Sequence, residues 1–571
     1  MNSVVRFARA RKCTLLLSIL VVGTAALPGC AGDDDIATSA SQALTCAQLA
    51  SFKIPASAIG LPTTGAVVTA ATLVSAAGSG SSAIGEYCKV SATIAPVDPT
   101  APVIMMEVDL PQAWNQKVLM FGGGGYDGTI PATNGNVPAG PTDRLLPLGR
   151  GYVTFASDSG HRGTSQDGSF GGNAEAVANF SGDALKKTRD VAFAILKARY
   201  GVTGVSKAYF AGGSSGGREA LAVIQRWPED WDGAIVLFPA FAAASLDLQL
   251  GRISRAYAQP GAYLNPAKRK LLLDASLQAC DALDGVADGI VSNVRACNAS
   301  FDPTTATVNG APLRCAGGVE GGDTCLSDAQ IAALTVYNTP ITFGYPLASG
   351  ETQYPGFNLW GSDLGVSNSN PLQSTIQFLA LNTTAPANPM PSTAPYFGVF
   401  WDQWVRFFVT GDLNFNSLSL DPQNPGIYQV RISTLAGLQD VNKADLTAFQ
   451  AKGGKILMAH GMSDVLVSTR STEQYFDRVK AVMGDAKVNS FFRYYEIAGY
   501  GHAASTMFNA TWDSLTTLEN WVEKGTVPPN QIVTDSVGVP GRTRPLCDYP
   551  AFPRYVGGDV NLAASFTCAT Q

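Results

Sequence analysis

The sequence predicts an α/β protein: a mainly parallel sheet covered by helices on both faces, interrupted by a large inserted lid. Three observations carry that expectation. Short apolar runs bounded by turn residues alternate with helical apolar spacing from about residue 103 to 241, and again after 444, the pattern of strands joined by crossover helices. One such run, Ala208-Tyr209-Phe210-Ala211, enters the knot Gly212-Gly213-Ser214-Ser215-Gly216-Gly217 and leaves it as an apolar helix. Between Phe241 and Ala444 the rhythm stops and Asn, Pro, Ser and Thr dominate; so long an interruption in a compact domain is usually functional. The expected organisation is a signal peptide at 1–29, a tether at 30–45, core segments at 46–241 and 441–571, and the lid at 242–440.

Length and composition bound the possibilities. At 571 residues the chain exceeds one ordinary core. Apolar residues make up 46% and charged residues 15%, the latter low against about 25% in typical globular proteins. With a net charge of −6 and no basic cluster beyond the N-terminus, nucleic acid is not an expected partner. Arg6, Arg9, Arg11 and Lys12 precede the apolar run Leu15 to Val22, which reads as an export signal too short to span a bilayer. The run ends at Leu27-Pro28-Gly29-Cys30, which resembles a bacterial lipobox, so Cys30 is the expected lipidation site. The alternative is an ordinary signal peptidase site and a soluble protein. Ala31 to Ala43, rich in Gly, Asp, Ser and Thr, reads as a flexible tether. Beyond Cys13 and Cys30 the cysteines are even in number: Cys46, Cys88, Cys280, Cys297, Cys315, Cys325, Cys547 and Cys568. An even set in an exported chain suggests four disulfides. Sequence-local pairing is the simplest arrangement, which parity alone does not fix.

Taken in order, Val103 to Leu110 and Val118 to Phe121 read as strands. The second runs into Gly122-Gly123-Gly124-Gly125-Tyr126-Asp127-Gly128. A polyglycine loop lets backbone N–H groups approach a substrate oxygen, and Gly124 is the expected donor there; the alternative is a plain turn. Gly151 to Ala156 is a third strand, followed by Ser157-Asp158-Ser159-Gly160-His161. A helix over Asp183 to Tyr200 precedes the glycine-serine knot. That knot fits the G-x-S-x-G nucleophile elbow in two registers, centred on Ser214 or Ser215. The first is adopted, because it lets the apolar strand run straight into the turn; the N–H of Ser215 is then the second oxyanion donor. Ala234 to Phe238 is a further strand.

Within the lid, Cys280 to Ile290 carries Asp281, Asp284 and Asp288 spaced by glycines. Such oxygen donors suit a hard cation such as Ca²⁺, although the spacing is not that of an EF-hand and a solvated acidic turn fits equally. Trp401, Trp404, Arg406, Phe407 and Phe408 form an aromatic cluster with one cation. They read mainly as lid core, with stacking on an aromatic substrate, and an acidic group meeting Arg406, as the alternative.

The sheet resumes at Lys455 to Ala459 and leads to His460-Gly461-Met462-Ser463-Asp464. A helix, a strand over Phe491 to Ile497, and Gly501-His502 follow. An acid after one late strand and a histidine after the next give the order Ser…Asp…His of the α/β-hydrolase fold. In this reading His502 takes the proton of Ser214, and Asp464 fixes its tautomer. His161 and His460 read as structural, and three histidines do not give a zinc-site spacing.

With these residues in place the chain resembles the tannase/feruloyl esterase family of α/β-hydrolases over nearly all of its mature length. The resemblance rests on Ser214-x-Gly216-Gly217-Arg218, Asp158-x-Gly160-His161, the Cys280-to-Cys297 segment, Gly461-x-x-Asp464, Gly501-His502 and Gly541 to Cys547. It implies a structural calcium held by Asp281, Asp284, the Val286 carbonyl, Asp288 and the Ile290 carbonyl. It also implies Ser214 as nucleophile and local pairing 46–88, 280–297, 315–325 and 547–568. One departure stands out. The family usually joins a cysteine before the nucleophile to one after the histidine; here those positions are Gly213 and Ala503. A link closing so long a loop would contribute several kcal/mol in the chain-entropy model, so packing is expected to replace it.

The expected function is an exported, monomeric serine esterase acting on small esters of hydroxyaromatic acids, without an organic cofactor and touching membrane only through a lipid anchor. A terephthalate-monoester hydrolase, an acyltransferase, and a lipid-anchored binding protein without turnover are the alternatives.

Overall fold

The computed structural model describes residues 43–570. Their framework is one thirteen-stranded sheet, here numbered in chain order: β1 (Lys53–Ile54), β2 (Gly65–Val74), β3 (Tyr87–Ala95), β4 (Ile104–Pro111), β5 (Lys117–Phe121), β6 (Val153–Ser157), β7 (Lys207–Gly213), β8 (Gly233–Leu237), β9 (Lys455–Gly461), β10 (Phe492–Ile497), β11 (Ala510–Thr511), β12 (Gln531–Asp535) and β13 (Thr543–Asp548). Their order across the sheet is β1-β2-β3-β4-β6-β5-β7-β8-β9-β10-β13-β12-β11.

The six strands from β6 to β10 in that order pair in parallel. Both wings pair antiparallel. The expected parallel sheet is therefore its centre, and the whole is mixed. The sequence explains the division. Ala208 to Gly212 of β7 and all of β8 are buried without interruption, as strands covered on both faces must be, whereas β3 alternates buried and half-buried positions along its length.

Helices α1 (Ala184–Tyr200) and α2 (Ser215–Arg226) follow the expected positions. The chain leaves the sheet after β8 through α3 (Ala243–Tyr257), continues through α4 (Pro266–Cys280) and α5 (Tyr396–Gln403), and rejoins it at β9. Helix α4 starts where Asn265 accepts a hydrogen bond from the Lys268 N–H and Pro266 occupies the first turn. The two ends of the insertion meet: Ala242 bridges Asp440, and the Val441 N–H donates to the Phe241 carbonyl at 2.7 Å. The Asp440 carboxylate accepts from Ala244 N–H (2.8 Å) and Ser245 Oγ (3.0 Å) at the start of α3. One apolar core runs through the sheet and the insertion alike. Helix α6 (Thr469–Met483) lies between β9 and β10.

Four disulfides join Cys46–Cys88, Cys280–Cys297, Cys315–Cys325 and Cys547–Cys568, the local pairing expected. They suit an oxidising compartment outside the cytosol. No helix among the described residues is long and apolar enough to cross a membrane. The expected signal peptide, the expected lipidation site Cys30 and most of the expected tether lie outside the described residues.

Candidate active site

Ser214 sits between the end of β7 and the start of α2 with φ 60° and ψ −124°, a left-handed conformation that side chains other than glycine rarely adopt. The turn is possible because its flanks lack side chains. A Cβ at Gly212 would lie 2.1 Å from the Gly216 carbonyl oxygen, and one at Gly216 would lie 2.7 Å from that of Gly123. The positive φ falls at Ser214 and not at Ser215, which begins α2. Ser215 is turned away: its hydroxyl donates to the Gly125 carbonyl at 2.6 Å.

The three residues expected to act together do meet. His502 Nε2 lies 3.0 Å from Ser214 Oγ, and His502 Nδ1 lies 2.8 Å from Asp464 Oδ2. Asp464 is fully buried, and its other oxygen accepts the N–H groups of Leu466 (2.8 Å) and Val467 (2.9 Å). Burial alone would raise its carboxyl. The charge of His502 and hydrogen bonds from His460 and His502 outweigh that and hold it well below the usual range. His460, read from sequence as structural, is thus a second partner of the same carboxylate, with Nε2 at 3.1 Å from Asp464 Oδ2. His161 stacks on Phe170 away from these groups, with ring centroids 3.6 Å apart.

The glycine loop folds over the elbow. Gly216 N–H donates to Gly123 O (3.0 Å), while Gly123 N–H donates to Glu219 Oε2 (3.0 Å). Asp127, at the end of the loop, bonds the Ser159 hydroxyl, which also reaches Glu219 Oε1 at 3.3 Å. Burial, and then the neighbouring Asp127, push the Glu219 carboxyl far up. Gly124 and Ser215, the expected oxyanion donors, both line the cavity in front of Ser214.

That cavity measures about 390 Å³ and is mostly apolar. Its aromatic wall is Tyr126, Phe180, Phe238, Phe378, Tyr396 and Phe400. Trp401, Trp404, Arg406 and Phe407 do not line it. Both tryptophans are fully buried, their indole N–H groups donating to Ser417 O (3.0 Å) and Gln439 Oε1 (3.2 Å). Arg406 pairs with Asp402 at 3.1 Å, and Phe407 packs on the apolar core. The tryptophans thus belong to the lid core, as their main reading had it, and the cavity face of α5 is carried by Tyr396 and Phe400, four residues apart. Asp247, also in the wall, was not singled out; an acid on the otherwise apolar stripe Ala243, Leu246, Leu250 was the available signal.

Gly213 and Ala503 both border the cavity. A Cβ at Gly213 would lie 2.6 Å from the Phe238 ring, and that ring stands edge-on to His502 at 4.9 Å. Phe238 fills the space between the nucleophile strand and the histidine loop.

At the acidic loop, Asp281 accepts the N–H groups of Asp288 (3.2 Å), Gly289 (2.9 Å) and Ile290 (3.2 Å), and Asp284 Oδ1 accepts that of Val286 (3.2 Å). Asp288 pairs with Arg544. Asp284 Oδ2 is buried without a partner. Among the described residues no three His, Cys, Asp or Glu side chains converge as a metal cluster.

Known proteins share this architecture. An uncharacterized esterase of Agrobacterium fabrum is 38% identical, the match covering 92% of this chain and 93% of that protein. Mono(2-hydroxyethyl) terephthalate hydrolase of Piscinibacter sakaiensis is 31% identical over 85% of each. The crystal structure of feruloyl esterase B from Aspergillus oryzae superimposes with a TM-score of 0.70 at 23% identity, covering 89% of this chain and 98% of that one, and so shares the α/β-hydrolase fold. Residues 88–569 match the description "Tannase and feruloyl esterase", and the chain belongs to that family of esterases.

Proposed function

We propose that the chain is an exported serine esterase cleaving carboxylic esters of hydroxyaromatic acids, with Ser214, His502 and Asp464 as its triad. The observation that carries this is the unbroken line from Asp464 Oδ2 through His502 to Ser214 Oγ, with spacings of 2.8 and 3.0 Å. Ser214 Oγ attacks the ester carbonyl as its proton passes to His502 Nε2, and the imidazolium is stabilised by Asp464. The N–H groups of Gly124 and Ser215 receive the oxyanion. Collapse expels the alcohol, which takes the proton from His502. Water then repeats the sequence on the acyl-enzyme, releasing the acid and restoring Ser214. The aromatic wall supports a planar acyl group such as feruloyl or galloyl, and similarity to a probable feruloyl esterase, a tannase and a mono(2-hydroxyethyl) terephthalate hydrolase favours aromatic esters, with a terephthalate monoester as the alternative.

The test is turnover of methyl ferulate, methyl gallate, p-nitrophenyl acetate and mono(2-hydroxyethyl) terephthalate by wild type, Ser214→Ala and Ser215→Ala. Activity should vanish in the first variant and survive in the second. Failure of a serine-directed phosphonate to label Ser214 would instead favour a binding protein.

Two further readings accompany this one. The acidic loop would hold Ca²⁺ in a structural role through Asp281, Asp284, Asp288 and the Val286 and Ile290 carbonyls. Hard oxygen donors and the buried, unpartnered Asp284 Oδ2 support it, and a Tm unmoved by EGTA would count against it. Cys30 would carry the lipid, and mass spectrometry of the mature N-terminus would show the modification or its lack.

A further inference from the structure

Two residues of the cavity wall each carry a buried polar atom without a partner of its own. Asp247 lies on the stripe of α3 formed by Ala243, Leu246, Asp247 and Leu250, whose spacing turns one helix face toward the cavity. Its side chain is 2% exposed, and Oδ1 is buried without a hydrogen bond. Arg218 stands one turn after Ser214 on α2 and is equally buried. Its Nη2 donates to the Phe180 carbonyl at 2.9 Å and its guanidinium lies 4.3 Å over the Phe180 ring, but Nη1 has no partner. Both residues line the cavity that Ser214 and His502 open into.

Buried polar groups in native proteins are almost always bonded, and exceptions ask for an explanation. Here an unused acceptor and an unused donor stand in one apolar, aromatic wall and do not bond each other. A single ligand group that both donates and accepts would satisfy the two at once, and a hydroxyl does so. We propose that Asp247 Oδ1 and Arg218 Nη1 form a subsite for a phenolic hydroxyl of the acyl group. Its O–H donates to Asp247 and its oxygen accepts from Arg218. The flanking Phe180 and Phe400 rings provide the surface for the aromatic ring that carries the hydroxyl. Burial, and then the nearby Asp440, push the Asp247 carboxyl up, more than Arg218 draws it down; a hydroxyl donating to it relieves part of that desolvation.

The proposal deepens the esterase reading and rests on it for the identity of the ligand as an acyl group. It is tested by binding, with the Ser214→Ala chain so that esters are not consumed. Calorimetric titration with methyl 4-hydroxycinnamate and methyl cinnamate should show the hydroxylated ester binding at least about tenfold more tightly, as a bond to buried partners implies. Asp247→Leu, or Asp247→Ala should the first not fold, should bring the two esters within about threefold of each other. Equal affinities before substitution, or a hydroxyl preference that survives it, would overturn the assignment. Absence of p-nitrophenyl acetate turnover by the unsubstituted chain would instead sink the esterase reading and leave this comparison standing.

Discussion

Replacing His460 with phenylalanine separates holding the triad acid from using it. His460 is fully buried, and its Nε2 faces two acceptors, Asp464 Oδ2 and the Val467 carbonyl, both at 3.1 Å. That nitrogen therefore carries the proton, and Nδ1 accepts from Thr472 Oγ1 at 2.9 Å. His460→Phe keeps a ring and removes a hydrogen bond to a charged group, worth about 1.5–3 kcal/mol, and strips a partner from Val467 O and from Thr472 Oγ1 at about 1 kcal/mol each. The expected loss is about 3–5 kcal/mol of stability, read by denaturant unfolding. Turnover should fare better, because Asp464 keeps His502 and two backbone N–H groups; kcat/KM on p-nitrophenyl acetate should fall by no more than about tenfold, whereas Asp464→Asn should cost about 10⁴. The sign with pH follows from the depressed Asp464 carboxyl. Its contribution is present above the unfolded value near 4 and lost as pH falls through the folded one. Without His460 the folded value rises, so acid unfolding should begin at higher pH. A loss of 10³ or more in kcat/KM by a fully folded His460→Phe chain would refute this, since His460 would then take part in the chemistry.

Three other outcomes are expected. Phe238→Ala removes the ring between Gly213 and His502 and should cost about 3–5 kcal/mol as a buried aromatic truncation, with kcat falling as His502 loosens; an unchanged melting curve would contradict it. Asp440, a buried residue, has its carboxyl raised by burial to about 7. Its folded form therefore favours the proton, and stability falls as pH rises from about 4 toward 7. Asp440→Asn should raise Tm at pH 8 and change little at pH 4, and equal shifts at both would argue otherwise. Gly212→Ala places a methyl 2.1 Å from the Gly216 carbonyl and should abolish soluble expression or all activity, while Gly204→Ala, in open space, should leave both intact.

What could be read in the sequence was what local chemistry dictates. The elbow needs small residues at fixed offsets from the serine, and the acid and histidine follow at the ends of successive strands, so Ser214, Asp464 and His502 were legible by order alone. The cavity wall was not. Its residues come from the glycine loop, the segment before α1, α2, α3, α5 and the β8 turn, and only packing decides which face of each looks inward. Trp401 and Trp404 illustrate this: the largest aromatic rings on their helix went to the core, while Tyr396 and Phe400 took the cavity side. His460 was read as structural, and it is buried and hydrogen-bonded; that its partner is Asp464 depends on the turn at Gly461-Met462-Ser463 rather than on any periodicity. The antiparallel wings were foreshadowed in the alternation along β3, which a reading centred on the parallel strands passed over.

The clasp at Ala242 and Asp440 also bears on how new specificities arise in this architecture. Because some two hundred residues depart and return through one bridge, their replacement need not disturb the order of the central strands. The triad and glycine loop lie outside that clasp, whereas Asp247, Tyr396 and Phe400 lie inside it. The chemistry thus stays outside the segment while the cavity wall is shared across its boundary, with Phe180 and Arg218 remaining behind; transplanting the segment between relatives should shift substrate preference while the reaction stays the same.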